Sequence, residues 1–275
     1  MSEPHALLDE RVVIVTGAGR GLGRAEAFEV AGQGARVVVN DMDGDEAAAV
    51  VKEIEAGGGE AIADVGDVAD WDHAQALIKL PVERWGRLDG VVNNAGILRD
   101  RMIFNMGEDE WDAVINVHLK GHFCMSRWAC AYWRDQAKAC GGVAYGRIVN
   151  TASEALFGSP GQPNYASAKA GIVALTGSIA RGMERYGVAA NAICPRALTR
   201  MTEQLNGFDD LGPEKVAPLV AYLLSPAASH INNRTFIVYG RMITLLAPMA
   251  EQQRWDADAD WTPGLVASTL AGLQS

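Results

Sequence analysis

The chain has 275 residues, 49% of them hydrophobic and 21% charged, with 30 glycines and a formal net charge of -10. That balance describes one globular α/β domain of ordinary size, and the acidic excess excludes a nucleic-acid partner, which calls for clustered Lys and Arg. No apolar run approaches the roughly 18 residues of a membrane helix, and the opening "MSEPHALLDE" lacks the charged-then-apolar layout of a signal peptide, so the sequence predicts a cytoplasmic protein with no membrane partner.

In chain order, strand-like runs rich in Val and Ile are "RVVIVTG", "ARVVVND", "LDGVVNNAG", "GRIVNTAS" and "VAANAICP", separated by helix-length segments. This alternation predicts a single Rossmann-like, doubly wound parallel sheet with helices on both faces and right-handed crossovers. No linker divides the chain before residue 246, so residues 1–246 are expected to form one domain and 247–275, acidic and carrying Trp255 and Trp261, a C-terminal extension. That extension either packs on a neighbouring subunit or is loosely ordered.

Directly after the first strand, "TGAGRGLGR" sets Gly17, Gly19, Gly21 and Gly23 at the start of the first helix. Glycines there let the backbone approach a pyrophosphate, and the helix N-terminus offers it free N–H groups and a positive dipole end. The spacing departs from G-x-G-x-x-G, with Leu22 in between, so the signal rests on its strand–loop–helix context. The second strand ends at Asp41, placed to accept hydrogen bonds from an adenosine ribose, or else to cap a helix. A carboxylate about 4 Å from a 2′-phosphate costs about 4 kcal/mol at an effective dielectric of about 20, which favours NAD over NADP. Arg20 pulls the other way, since an arginine in the loop can pair with that phosphate; it equally fits a surface residue or one lying over the adenine.

Further along, His118 and His122 are one helical turn apart, but without a third ligand they do not make a metal site, and none is expected. Cys124, Cys130, Cys140 and Cys194 form no C-x-x-C pair and read as reduced thiols. A helix from about Glu110 to Arg134, rich in Trp, Val and Met, either faces the sheet or packs against its own copy. In "YASAK", Tyr165 and Lys169 share one helix face a turn apart. A tyrosine titrates near pH 10, so its use as a base near neutrality needs a neighbouring positive charge, which Lys169 supplies.

Taken in order, "TGAGRGLG", "GDVAD", "NNAG", "INVHLKG" and "YASAK" resemble the short-chain dehydrogenase/reductase family over about residues 10 to 246. The resemblance implies a catalytic set of Asn116, Ser153, Tyr165 and Lys169. It implies cofactor binding by Gly17, Arg20, Gly21, Leu22, Gly23 and Asp41, by Asp67 and Val68 at the adenine, and by Asn93, Ala95, Gly96, Tyr165, Lys169, Pro195 and Thr199. Within the family, "NNAGILRDR", "VHLKG", "PRALTRMT" and "PEKVAPLVAYL" look most like the (3R)-hydroxyacyl-CoA dehydrogenase part of peroxisomal multifunctional enzymes of type 2. The activity so implied is that of an NAD-dependent oxidoreductase interconverting a secondary alcohol and a ketone, with a 3-hydroxyacyl-CoA as substrate and a homodimer or homotetramer as its assembly. A 3-oxoacyl carrier-protein reductase, a hydroxysteroid dehydrogenase and a secondary-alcohol dehydrogenase share the chemistry. A catalytically weak NAD-binding sensor or scaffold is the reading from another class.

Two departures from the family pattern stand out. Arg196 follows Pro195 where glycine is usual, a trait shared with the multifunctional-enzyme relatives, in which a non-glycine also follows the proline. Ser153 lies twelve residues before Tyr165 where thirteen are usual, and a strict count puts Ala152 in the serine's place. A loop absorbs a deletion more readily than a strand end shifts, so the missing residue is expected between Glu154 and Gly158, with Ser153 keeping its role. About seventeen residues separate Pro195 from Pro213, which leaves a short substrate lid and an open cleft.

Overall fold

Residues 6–197 and 211–273 are described by the structure, a computed structural model. Thr199 and most of the expected lid lie outside the described residues. The strands β1 (Val12–Thr16), β2 (Arg36–Asp41), β3 (Glu60–Val65), β4 (Gly90–Asn93), β5 (Gly146–Thr151), β6 (Val188–Pro195), β7 (Thr235–Tyr239) and β8 (Met242–Leu245) form one sheet. Their order is β3-β2-β1-β4-β5-β6-β7-β8, parallel throughout except for the antiparallel β7–β8 hairpin. The chain therefore reverses direction across the sheet between β1 and β4, which opens a crevice at the strands' carboxyl ends.

Side-chain alternation divides the core between the two faces. Val13 and Val15 join one apolar cluster, with Ala27 and Val30 of α1 (Gly21–Gly32), Val50 and Ile54 of α2 (Gly44–Ala56) and Leu223 of a later helix. Ile14, between them, joins the other, with Leu77 of α3 (Trp71–Trp85) and Met125 and Trp133 of the long central helix. Period-2 geometry makes this division, and it accounts for the unbroken Val/Ile runs of the inner strands, buried on both faces.

Three strands escape the Val/Ile signal. β3, "EAIADV", is mostly exposed or half-buried, as an edge strand is, with only Ala61 buried in one apolar cluster and Ile62 packed on the other. β7 and β8 extend the other edge through a tight turn at Gly240, which has φ +51, and most of β8 is exposed. The helix expected over Glu110–Arg134 is α4 (Glu108–Ile115), a π turn (Asn116–Lys120) and α5 (Gly121–Ala139) in one continuous run. α5 buries His122, Met125, Ser126, Ala129 and Trp133 against the body and exposes Phe123. The remaining helices are α6 (Pro163–Met183), α7 (Ala217–Leu224) and α8 (Pro263–Leu270), the last with no buried residue. Among the described residues no helix is long and apolar enough to cross a membrane.

Candidate active site

The crevice holds a cavity of about 940 Å³ that runs from the glycine loop to the start of α6. Gly17, Arg20, Gly21 and Leu22 line one end, Asp41, Asp67 and Val68 a side, and Ala95, Gly96, Tyr165, Lys169 and Pro195 the other end. The loop owes its shape to Thr16 and Asn94. The Thr16 hydroxyl donates to the Val92 carbonyl and accepts from the N–H groups of Asn94 and Ala95, while the Asn94 amide donates to the carbonyls of Thr16 and Gly17. These bonds draw the β1 and β4 ends so close that a Cβ on Gly17, at φ +61, would sit 2.8 Å from the Ala95 Cα. Only glycine fits there.

Gly23 and Asn93 do not line the cavity. Gly23 packs α1 against the Gly17 carbonyl and the Asn94 amide. Asn93 is buried behind the wall, its amide donating to Ser126 Oγ at 3.1 Å and to Asn150 Oδ1 at 2.9 Å. Both support the site from behind, a distinction the linear motif cannot make. Asp41 accepts from the N–H groups of Gly19, at 2.9 Å, and Asp43, at 3.0 Å, while Asp43 rather than Asp41 caps α2. Arg20 is engaged by two carboxylates, Asp43 at 2.6 Å and Glu46 at 2.7 Å.

At the far end, α6 begins with Pro163, whose missing N–H costs nothing in a first helical turn. Asn164, fully buried, donates to the carbonyls of Arg99 and Glu110 at 2.9 and 3.1 Å and so fixes the first turn of α6 against the segment after β4. That anchor places Tyr165, and Lys169 follows one turn on. The Lys169 ammonium donates to the Thr151 carbonyl at 2.5 Å and lies 5.3 Å from the Tyr165 ring centre. Burial dominates both groups: it lowers the Lys169 pKa to about 7 and raises that of Tyr165 to about 12. The Ser153 hydroxyl neighbours the phenol and acts in the opposite direction, lowering its pKa.

Ser153 itself caps a 3₁₀ turn, Glu154–Phe157, its hydroxyl accepting from the Ala155 N–H at 3.2 Å. The chain remains in sheet register through Ala152, whose N–H donates to the Ile193 carbonyl at 2.7 Å. Ala152 packs on Ile172 and Ile237 and lines the cavity wall, whereas Ser153 and Asn116 are not among the lining residues. Asn116 opens the π turn, its carbonyl accepting from the Gly121 N–H. Insertions of this kind in helices recur at functional sites.

One lining residue, His118, carries no sequence signal beyond its i, i+4 spacing from His122. The His118 ring stands edge-on to Tyr165, with centroids 5.2 Å apart, and its Nε2 meets the Ile97 carbonyl at 2.7 Å. Burial holds its pKa down to about 3, so the imidazole is neutral. A Cβ on Gly96 would overlap the ring, which ties that glycine to His118. Its spacing from Tyr165 in the chain follows no local rule, so the pairing exists only in three dimensions.

A family profile described as short chain dehydrogenase matches residues 11–209. The chain belongs to that family. The chain is 51% identical to hydroxyacyl-CoA dehydrogenase ChsB1 of Mycobacterium tuberculosis, over 96% of this chain and 88% of that protein. It is 42% identical to peroxisomal multifunctional enzyme type 2 of Drosophila melanogaster, over 78% of this chain and 36% of that longer protein. A crystal structure of a short chain dehydrogenase from Mycobacterium avium superposes with a TM-score of 0.91 at 51% identity, covering 97% of this chain and 95% of the other. This short-chain dehydrogenase is therefore an oxidoreductase acting on CH–OH groups, and its family implies a nicotinamide cofactor.

Proposed function

We propose that this dehydrogenase interconverts a 3-hydroxyacyl-CoA and its 3-oxo form with NAD, by the combined action of Tyr165, Lys169, Ser153 and Asn116. The observation that carries the chemistry is the meeting of Tyr165 and Lys169 at one end of a cavity whose other end is a glycine loop, with the Ser153 hydroxyl beside the phenol. The fit to a dinucleotide rests on that cradle, which a Cβ at Gly17 would fill. Gly17, Arg20, Gly21 and Leu22 would hold the pyrophosphate, Asp41 a ribose, Asp67 and Val68 the adenine. When bound, the nicotinamide would supply hydride transfer.

Each residue then has a physical task. Tyr165 takes the alcohol proton in oxidation and returns it in reduction. Its raised pKa comes first from burial, so ionising near neutrality takes positive charge beyond what the Ser153 hydrogen bond offsets. Lys169, anchored on the Thr151 carbonyl but with its own pKa lowered to about 7 by burial, would have to be held protonated to supply it. The Ser153 hydroxyl holds the substrate oxygen, and Asn116, half-buried at the π turn, passes the proton onward through water. Support for NAD comes from Asp41 at the cavity wall and from the engagement of Arg20 by Asp43 and Glu46, which opposes its pairing with a 2′-phosphate. Support for the thioester comes from relatives named for hydroxyacyl-CoA and for the multifunctional enzyme. A cytoplasmic homodimer or homotetramer completes the reading.

The test is a screen of 3-hydroxyacyl-CoA, steroid and simple secondary alcohols, following NADH absorbance. Thioester turnover is expected; turnover of steroids alone would assign another substrate, and tight NADH binding with no turnover would make the protein a nucleotide sensor. Fluorescence titration is expected to show NADH bound at least about tenfold more tightly than NADPH, a gap that Asp41→Ala narrows.

A further inference from the structure

The two departures from the family pattern meet in space. The Arg196 guanidinium, on the residue after β6, donates from Nε and Nη2 to the two carboxylate oxygens of Glu154, the second contact at 2.7 Å. It also lies over the Tyr239 ring, 4.6 Å from its centre. The Arg196 N–H donates to the Val238 carbonyl at 3.1 Å, so the residue continues the β6–β7 ladder while its neighbours Pro195 and Ala197 line the cavity. Glu154 is the residue after Ser153 and the first of the 3₁₀ turn that Ser153 caps.

We propose that the Glu154–Arg196 pair is a positioning device that holds the Ser153 hydroxyl against Tyr165 across the shortened loop. The proposal rests on the reading of Ser153 as the substrate-holding hydroxyl. The last sheet bond on this stretch is that of Ala152, and Ser153 comes next with φ -165 and ψ 153, extended but no longer paired in the ladder. A loop one residue short must leave the sheet at that point, and the direction it takes sets where the serine points. A planar guanidinium bound in two places and stacked on an aromatic ring fixes the next residue in orientation as well as distance, which a lysine or a single hydrogen bond would not. The glycine usual after Pro195 could make no such contact, so an arginine there and the missing residue opposite act as one feature. The pair is partly exposed, with side-chain accessibilities of 42% and 27%, so it adds little to global stability and its effect lies in geometry.

The experiment compares Arg196→Gln, Glu154→Gln, the double variant, the reversed pair Glu154→Arg/Arg196→Glu, and Ser153→Ala as the reference. It uses whichever secondary alcohol turns over, with 3-hydroxybutyryl-CoA tried first. Each single variant is expected to lower kcat about tenfold, with Tm and NADH affinity unchanged, because a displacement of about 1 Å in a positioning group is costly. The double variant should be no worse than the singles, and the reversed pair should recover part of the loss. Because Ser153 lowers the Tyr165 pKa, its displacement should move the pH profile of alcohol oxidation to higher pH, and an ultraviolet titration of Tyr165, taken as the difference from Tyr165→Phe, should move the same way. If Arg196→Gln does not fold, Arg196→Lys, which keeps the charge and loses the fork, should still lower kcat. Normal kcat and pH profile in the pair variants, with Ser153→Ala impaired, would overturn this proposal alone. Full activity of Ser153→Ala would overturn it together with the reading of Ser153.

Discussion

Thr151 and Glu26 show how differently two buried polar residues can matter. Thr151 offers Lys169 its carbonyl, while its hydroxyl is buried without a partner. Thr151→Val, which keeps the carbonyl, should therefore change kcat by less than about threefold in steady-state assays, whereas Ser153→Ala should lower it about 10²-fold while sparing NADH affinity. Glu26, on α1, is fully buried with neither oxygen bonded, and burial raises its pKa from 4.5 to about 8. The folded protein thus holds a proton that the unfolded chain releases, so this residue's stabilising protonation is complete below about pH 4.5, weakens as pH rises from there, and is lost above about pH 8. Glu26→Met, similar in volume and without a charge to bury, should raise Tm at pH 8.5 and flatten that alkaline decline in thermal melts. A wild-type Tm that does not fall between pH 6 and pH 9 would contradict this.

Among the elements, the end of β5 and the turn after it behave differently under insertion. Through Ala152 the chain is tied to β6, and successive residues there point to opposite faces. One extra residue between Thr151 and Ala152 should turn Ser153 away from Tyr165 and lower kcat about 10²-fold or more. One glycine added after Ala155, inside the 3₁₀ turn, restores the usual family spacing and should leave kcat within about threefold, since a surface turn accommodates a residue and Glu154 keeps its place beside Ser153. The two insertions, assayed side by side, locate the missing residue. The π turn at Asn116 is the other irregular element: it lies between α4 and α5 and contains His118, whose neutral ring stands edge-on to Tyr165.

On the scale of the molecule, one sheet carries both ends of the site, and apolar side chains remain exposed on more than one surface. α4 and α5 expose Trp111 and Phe123, and the segment after β8 exposes Met249, Trp261, Leu265, Val266 and Leu270. Light scattering at micromolar concentration should give at least a dimer, by pairing of the α4–α5 faces. Deleting residues 247–275 should shift Tm by no more than about 2 °C at high dilution, because no residue of α8 is buried. A monomeric full-length chain would contradict the first expectation, and a large loss of Tm the second.

The sequence alone determined the inner strands, the glycine loop, Asp41 and the Tyr165–Lys169 pair, because each depends on local spacing: period 2 in a buried strand, a turn of glycines, one helical turn between two side chains. Only the tertiary structure decided the rest. β3 and β8 are edge strands whose weak patterns are completed by their neighbours. His118, Asn94 and Asn164 act across gaps of 21 to 78 residues, through bonds such as those to Ile97, Thr16 and Arg99, which no spacing rule connects. Gly23 and Asn93 share motifs with lining residues yet sit behind the wall, since a motif orders residues along the chain and not by depth. Whether Ser153 reaches Tyr165 could not be counted from the chain, because a loop's length does not fix its path; the path depends on contacts such as that of Glu154 with Arg196, 42 residues away.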